Sequence, residues 1–386
     1  MNQIQISKET KFFDTDITVL HICLGAACDM KCEYCYHHTD TIAYKKPVIN
    51  EDIFPFIEEM AQRQKNKELI IRFFGGEPLV YYDEIKYVVE RLAHLPNLQF
   101  NTITNGKQLT QDKIDFFNKH NFWLLVSWDG HSESLKYRHF DVFSENKNVI
   151  LQINKLVIMA TFVDFTKIDV FLGDLKTLNK EYYALHDNYI HWSWAPVDDT
   201  GSQTEFINNS NNKIMLYQQK AKELCDKTKE AILKPDRDIW DMCLISAFID
   251  DIGGISVSDF KDRNKRNRVQ WGSDNPKTMS LGLDGNLYRF HRYLGGTSRA
   301  EKIGDIYMSY FEYLYNFFFD KEYIDQRAAC NCDDCATNLL CFGPGPHIAK
   351  ESVAKMCNIR HALYTPIVEL IEWFCNGGLD LIKNGK

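Results

Sequence analysis

Apolar runs and helical periodicities alternate along the first half of the chain. Residues 17–24 and 69–74 are short apolar runs that predict strands. Between them, Ile53, Phe56, Ile57, Met60 and Ala61 recur at helical spacing, and Ile85, Val88, Val89 and Leu92 repeat that spacing after the second run. Further strands are predicted over 98–104, 122–127, 156–162 and 189–194. Alternation of this kind implies an α/β fold with a parallel sheet and helices outside it. Six such units fit between residues 17 and 197, which suits an open partial (β/α)6 barrel better than a closed eight-fold one.

From about residue 200 the pattern changes. Residues 201–212 are polar and loop-like, 213–233 predict a helix, and 253–278 are rich in Gly, Asp, Asn and Lys, as a surface excursion would be. Residues 279–288 predict a hairpin turning at Asp284-Gly285. An apolar helix over 359–374 closes the pattern. The expected division is a barrel over 1–200, a helical and loop bridge over 201–278, and a C-terminal subdomain over 279–386.

The net charge of −8 argues against a nucleic-acid partner held through phosphate contacts. No apolar run reaches the length of a membrane span, and residues 1–16 are polar, with no apolar core of a signal peptide. The expected location is the cytoplasm, with no membrane partner. Twelve cysteines in a reducing compartment are more often metal ligands or catalytic groups than disulfides. Three fall between residues 28 and 35 and five between 330 and 357. Cys23, Cys225, Cys243 and Cys375 are scattered in apolar or helical surroundings and read as small buried hydrophobes.

Cys28, Cys32 and Cys35 have the spacing C-x3-C-x2-C directly after the first strand. Three thiolates on a four-iron cluster leave one iron open to a ligand; with His37 or His38 the same thiols could instead hold zinc. Gly75-Gly76-Glu77-Pro78 ends the second strand. Its glycines permit close backbone approach, and its carboxylate can accept from an ammonium group. Thr104-Asn105-Gly106 ends the third strand and Ser127-Trp128-Asp129-Gly130 the fourth, with Arg138 following. Singly, Asn-Gly and Asp-Gly are ordinary turn dipeptides, and Arg138 could be a solvated helix residue.

Four motifs in this order at four strand ends resemble the radical S-adenosylmethionine (radical SAM) superfamily. The resemblance implies a partial barrel whose cluster on Cys28, Cys32 and Cys35 binds the amino and carboxylate groups of S-adenosylmethionine. One electron then releases a 5′-deoxyadenosyl radical that abstracts hydrogen from substrate. It further implies that Tyr34 lies near the adenine and that Gly75, Gly76 and Glu77 hold the amino group. Asn105 belongs to the TNG motif at the same site, Ser127 contacts the ribose or carboxylate, and Arg138 pairs with the carboxylate.

The second cysteine group reads C-x2-C-x5-C at Cys332, Cys335 and Cys341, followed by Cys357, with Cys330 just ahead. It resembles the SPASM extension of anaerobic sulfatase-maturating enzymes and ribosomal-peptide maturases, which carries two auxiliary four-iron clusters. Residues 279–291 match the hairpin of that extension, with Gly285 at its glycine, and Gly304-Asp305-Ile306 fits the segment after it. Phe290 and Gly345 stand where two cysteines of the first auxiliary cluster belong. The expectation is therefore a SPASM-like subdomain with one auxiliary 4Fe-4S cluster on Cys332, Cys335, Cys341 and Cys357. A structural zinc on the same four thiols is the alternative, and Cys330 is either an alternative ligand or a spare thiol.

Where sulfatase-maturating enzymes place an aspartate after the hairpin cysteine, this chain has His291, a candidate base. Together with the missing cluster, this argues against formylglycine chemistry. The leading expectation is a peptide or protein maturase that forms cross-links, epimerises or oxidises a side chain. A small-molecule enzyme of cofactor biosynthesis and a non-enzymatic electron-transfer or sensor protein are the alternatives. The cysteine motif begins at residue 28, so peptide capture is expected to use the barrel mouth, the 200–278 region or a separate recognition protein. A low-potential donor such as flavodoxin or ferredoxin would supply electrons.

Overall fold

The structure is a computed structural model that describes residues 17–35, 44–64, 67–197, 211–253, 278–288, 302–319, 325, 328–332, 335–337, 341, 353–374 and 376. Six parallel strands form its centre: β1 (Val19–Cys23), β2 (Leu69–Phe74), β3 (Leu98–Thr104), β4 (Trp123–Ser127), β5 (Leu156–Phe162) and β6 (His191–Pro196). They lie side by side in sequence order, each pairing in parallel with the next. This is the open (β/α)6 arrangement that the alternating pattern predicts.

Between the strands run α1 (Ile53–Arg63), α2 (Tyr82–Leu92), α3 (Gln111–Lys119), α4 (Val142–Ile150) and α5 (Ile168–His186). The helical spacing is the cause of their placement. In α1 the buried side chains are Ile53, Phe54, Phe56, Ile57, Met60 and Ala61, and in α2 Ile85, Val88, Val89 and Leu92 are sealed against the sheet. Strands buried on both faces need nearly continuous apolar runs, as in β4, whose consecutive Leu124, Leu125 and Val126 are all buried.

β6 begins two residues later than the run 189–194 predicts. Tyr189 donates its N–H to Asn188 Oδ1 and Ile190 to Asn179 Oδ1, each at 2.8 Å, and neither enters the ladder with β5. Trp192 is sealed in the core and donates to the Cys243 carbonyl at 3.0 Å, while Trp194 is half-buried. After β6, α6 (Asn211–Leu233) starts two residues ahead of its predicted span. Helix α7 (Ile239–Gly253) has no counterpart in the sequence reading; it packs on β6 and α6.

The predicted hairpin is β7 (Thr278–Gly282) and β8 (Asn286–Tyr288), with Gly285 in the turn at φ +87°. It does not stand apart from the barrel. β7 pairs in parallel with β1, from Val19 opposite Thr278 to Cys23 opposite Gly282, and β9 (Lys302–Asp305) continues the sheet beyond β8. Among the described residues, the longer helices that follow are α8 (Tyr310–Phe318) and α9 (Val353–Trp373). α9 lies along α6 and ties the C-terminal cysteines to the barrel. Cys23, Cys225 and Cys243 are buried, as expected, and Cys375 lies outside the described residues. Among the described residues, no helix is long and apolar enough to cross a membrane.

Candidate active site and a second cysteine centre

Parallel pairing puts the C-terminal ends of β1 to β4 on one edge of the sheet, so all four sequence motifs meet there. The loop leaving β1 carries the three cysteines, and the turn leaving β2 is docked on it. Gly76 N–H donates to the Gly25 carbonyl and Glu77 N–H to the Ala27 carbonyl, each at 2.9 Å. A Cβ on Gly75 would stand 2.5 Å from the Gly25 carbonyl oxygen, and one on Gly76 2.3 Å from that of Ala26. The two glycines are thus required by the approach of two backbone segments to each other.

Glu77 is buried and acts as a hub. One carboxylate oxygen accepts from Leu79 N–H at 2.9 Å and from the Thr104 hydroxyl at 2.7 Å, and the other accepts from Asn105 N–H at 2.7 Å. Burial outweighs these bonds and pushes its pKa up to about 7. The Asn105 side chain reaches back to the cysteine loop and donates to Asp29 at 2.8 Å, and Gln108 donates to the other Asp29 oxygen at 3.0 Å. Lys107 donates to the Asp29 carbonyl at 3.2 Å. Asp29 and Gln108 were absent from the sequence reading, although a carboxylate inside a C-x3-C spacing is itself a signal.

The motif after β4 braces the far end of the loop. Asp129, 1% exposed, accepts from the Tyr34 hydroxyl at 2.5 Å and from Thr161 N–H at 2.8 Å. It also takes Arg138 in a bidentate pair, Nε at 2.7 Å and Nη2 at 3.0 Å. The guanidinium lies 5.2 Å from the centre of the Tyr34 ring. Arg138 ends a π-helical turn, Ser134–Arg138, and the neighbouring Tyr137 carbonyl accepts from Glu33 N–H at 2.8 Å. Ser127 is half-buried at the last residue of β4.

The three thiols remain half-buried within this frame. Burial pushes Cys28 up to about 12, and Cys32 up to about 11 despite the nearby Arg138 charge. A metal must displace these protons to bind. Three thiols on one loop suit a metal-thiolate centre, and among the described residues the polar side chains around them are committed to one another.

The second centre is assembled from separate segments. Cys330 lies close to Cys332 and Cys357, and Cys357 lies close to Cys341 and Cys335. Burial is the main reason that Cys357 is pushed up to about 11. Cys335 Sγ lies 3.3 Å from the Thr337 hydroxyl and 3.2 Å from His361 Nε2, and Arg360 Nη1 donates to Cys341 Sγ at 3.5 Å. The cysteines of the C-terminal group are thus neighbours, Cys330 among them. Among the described residues, no three Cys, His, Asp or Glu side chains already close a cage around a metal ion. The donor chemistry suits a metal-thiolate centre, since several thiols are grouped and a guanidinium and an imidazole are directed at two of them. Phe290, His291 and Gly345 lie outside the described residues, as do His37 and His38.

Residues 22–157 match the model of the Radical SAM superfamily. The chain is 25% identical over 187 residues to the radical SAM cyclopropyl synthase TigE of Paramaledivibacter caminithermalis, covering 43% of this chain and 39% of that protein. It is 30% identical over 118 residues to the serine-type anaerobic sulfatase-maturating enzyme of Bacteroides thetaiotaomicron, covering 28% of each. The chain thus spans well under half the length of these two curated relatives. The solved structure of native anSMEcpe with bound AdoMet and Cp18Cys peptide superimposes with a TM-score of 0.60 at 15% identity, covering 93% of this chain and 99% of that one. The likeness to that structure is one of fold.

Proposed function

We propose, from the premise that residues 22–157 are a radical SAM domain, that this protein is an enzyme that reductively cleaves S-adenosylmethionine and takes a hydrogen atom from a peptide or protein side chain. The observation that carries the reading is the closed set of contacts among four strand ends. Asp29 in the cysteine loop is held from the β3 turn, and Tyr34 in the same loop is held by Asp129 after β4. Such a frame fixes three thiols while leaving their outer side to a ligand.

When bound, the 4Fe-4S cluster and S-adenosylmethionine supply the one-electron reduction and the 5′-deoxyadenosyl radical. Cys28, Cys32 and Cys35 hold the cluster. Gly75, Gly76 and Glu77 form the turn assigned to the cofactor's amino group, and Asn105, whose N–H bonds to Glu77, is assigned to the same cofactor site. Ser127 is assigned to its ribose or carboxylate and Tyr34 to its adenine side. Arg138 has three of its five N–H donors beyond the pair with Asp129 and is assigned to the carboxylate. Cys332, Cys335, Cys341 and Cys357 hold one auxiliary 4Fe-4S cluster, and His291 is the base that accepts a substrate proton.

A peptide or protein substrate is supported by the relatives. One is named for maturing a sulfatase, itself a protein, and the anSMEcpe structure holds a peptide. Electrons would come from a flavodoxin- or ferredoxin-type donor, and a separate recognition protein would present the peptide. The test is anaerobic reconstitution followed by reduction with S-adenosylmethionine present. We expect about eight irons per chain, 5′-deoxyadenosine as product, and a mass change in a peptide substrate. A fully loaded first cluster that forms no 5′-deoxyadenosine would end the enzyme reading. About four irons with a bound zinc would make the second centre a zinc site.

A further inference from the structure

Arg360 and His361 are consecutive residues of α9, three and four positions after Cys357, so they share its face of the helix. Each directs a nitrogen at a different sulfur of the C-x2-C-x5-C run. Arg360 Nη1 meets Cys341 Sγ at 3.5 Å, and His361 Nε2 meets Cys335 Sγ at 3.2 Å. The helix that brings in the last thiol therefore also brings two nitrogen donors. Arg360 is buried, at 6% exposure, while His361 is exposed. A metal-bound thiolate is an anionic acceptor that both donors can meet. A metal-bound thiolate can only accept, which makes His361 Nε2 the donor of its pair.

We propose that Arg360 and His361 are positioning residues that set the reduction potential of the auxiliary cluster, resting on the reading that the C-terminal cysteines hold a 4Fe-4S cluster. Uptake of one electron makes a thiolate-bound cluster more negative by one charge. The low-potential flavodoxin or ferredoxin that gives the electron is oxidised by one, and no bond is made or broken. A fixed cation and N–H donors at the ligand sulfurs favour the more negative state, so they raise the potential. The first centre is built differently, since Arg138 gives two N–H groups to Asp129 and none to a sulfur among the described residues.

The test uses the full-length chain with Cys28, Cys32 and Cys35 all changed to Ala, so that the spectroscopic signal comes from the second centre alone. Arg360→Gln, Arg360→Lys and His361→Ala are each added, iron and zinc are measured, and the cluster is titrated electrochemically by electron paramagnetic resonance. We expect unchanged iron, a lower midpoint potential in Arg360→Gln and His361→Ala, and restoration toward the parent value in Arg360→Lys. Full iron content with the parent potential in both Arg360→Gln and His361→Ala would overturn the proposal. If Arg360→Gln loses its iron, the exposed His361 decides: a lowered potential in His361→Ala supports the proposal and an unmoved one overturns it. Zinc in place of iron in the parent would defeat the cluster reading itself and is told apart by the metal analysis.

Discussion

The two cysteine centres reach a similar donor chemistry by opposite routes. At the first, three thiols lie within one short loop, and the surrounding polar groups bond to one another: Glu77 to Thr104 and Asn105, Asn105 to Asp29, and Asp129 to Tyr34 and Arg138. At the second, thiols from a turn-rich segment and from α9 converge, and polar groups bond to the sulfurs themselves: His361 to Cys335 and Arg360 to Cys341. The first centre is framed by hydrogen bonds that do not use its thiols. At the second, the thiols themselves form part of what joins the segment to α9. Metal loss should accordingly have unequal consequences for the fold.

Replacing Cys28, Cys32 and Cys35 together by Ala has the largest expected effect on chemistry and a small one on the fold. The sheet is held by its apolar strands and helices, and these cysteines are half-buried on a loop. 5′-Deoxyadenosine formation should vanish, while circular dichroism and the iron of the second centre persist. Turnover in that variant would sink the assignment of the first centre.

Asp129→Asn attacks the frame. It leaves the Arg138 guanidinium buried without its anion, a change that costs about 3–5 kcal/mol when one partner of a buried pair is lost. Urea unfolding should show the loss, and a chelator should strip iron from the first centre faster than from the second. A loss below about 1 kcal/mol would mean that Arg138 finds another anion and that the Asp129 pair is not what braces Tyr34.

Much of this frame is legible in the sequence, because parallel strands buried on both faces are written as apolar runs and motifs at their ends are local. The runs 69–74, 98–104 and 156–162 are the strands themselves. What is not legible is long-range. Nothing local says that residues 278–282 pair with β1, or that Cys330 meets Cys357 and His361 meets Cys335. Helix α7 carries no one-sided stripe, because Cys243, Leu244, Ile245, Ala247 and Phe248 are all buried and run almost consecutively. The apolar and aromatic character of Tyr189 and Ile190 resembles strand, yet the Asn179 side chain takes the Ile190 N–H out of the ladder.

Glu77→Gln tests the hub at lower cost. The carboxylate accepts from three donors, and an amide would turn an NH2 group toward one of them, a loss of about 1–3 kcal/mol. Cofactor affinity should fall roughly ten- to a hundredfold if the 75–77 turn shifts, with iron retained. The variant also carries a pH signature. The folded-state pKa of Glu77 is raised from 4.5 to about 7, so its contribution to stability is complete below 4.5 and is lost as the pH rises toward 7. Urea midpoints of wild type minus variant should therefore decline across that window in the metal-free protein. A flat difference would mean that Glu77 titrates alike in the folded and unfolded chain.

The smallest expected effect belongs to Gln108→Ala. Gln108 gives one hydrogen bond, at 3.0 Å, to Asp29 Oδ2, while Asn105 still holds Oδ1 and Lys107 the Asp29 carbonyl. Asp29 is half-buried, so water can take the vacated oxygen, and the net loss should be about 0.5–1.5 kcal/mol. If the first centre is a shared frame, this single deletion should leave both iron content and cofactor affinity close to wild type. Adding Asn105→Ala should then cost more than the sum of the two single changes, because Asp29 would lose both side-chain donors at once. Strict additivity would mean that the two donors act independently and that the cysteine loop takes its shape from its other bonds, to Gly76, Glu77, Tyr137 and Asp129.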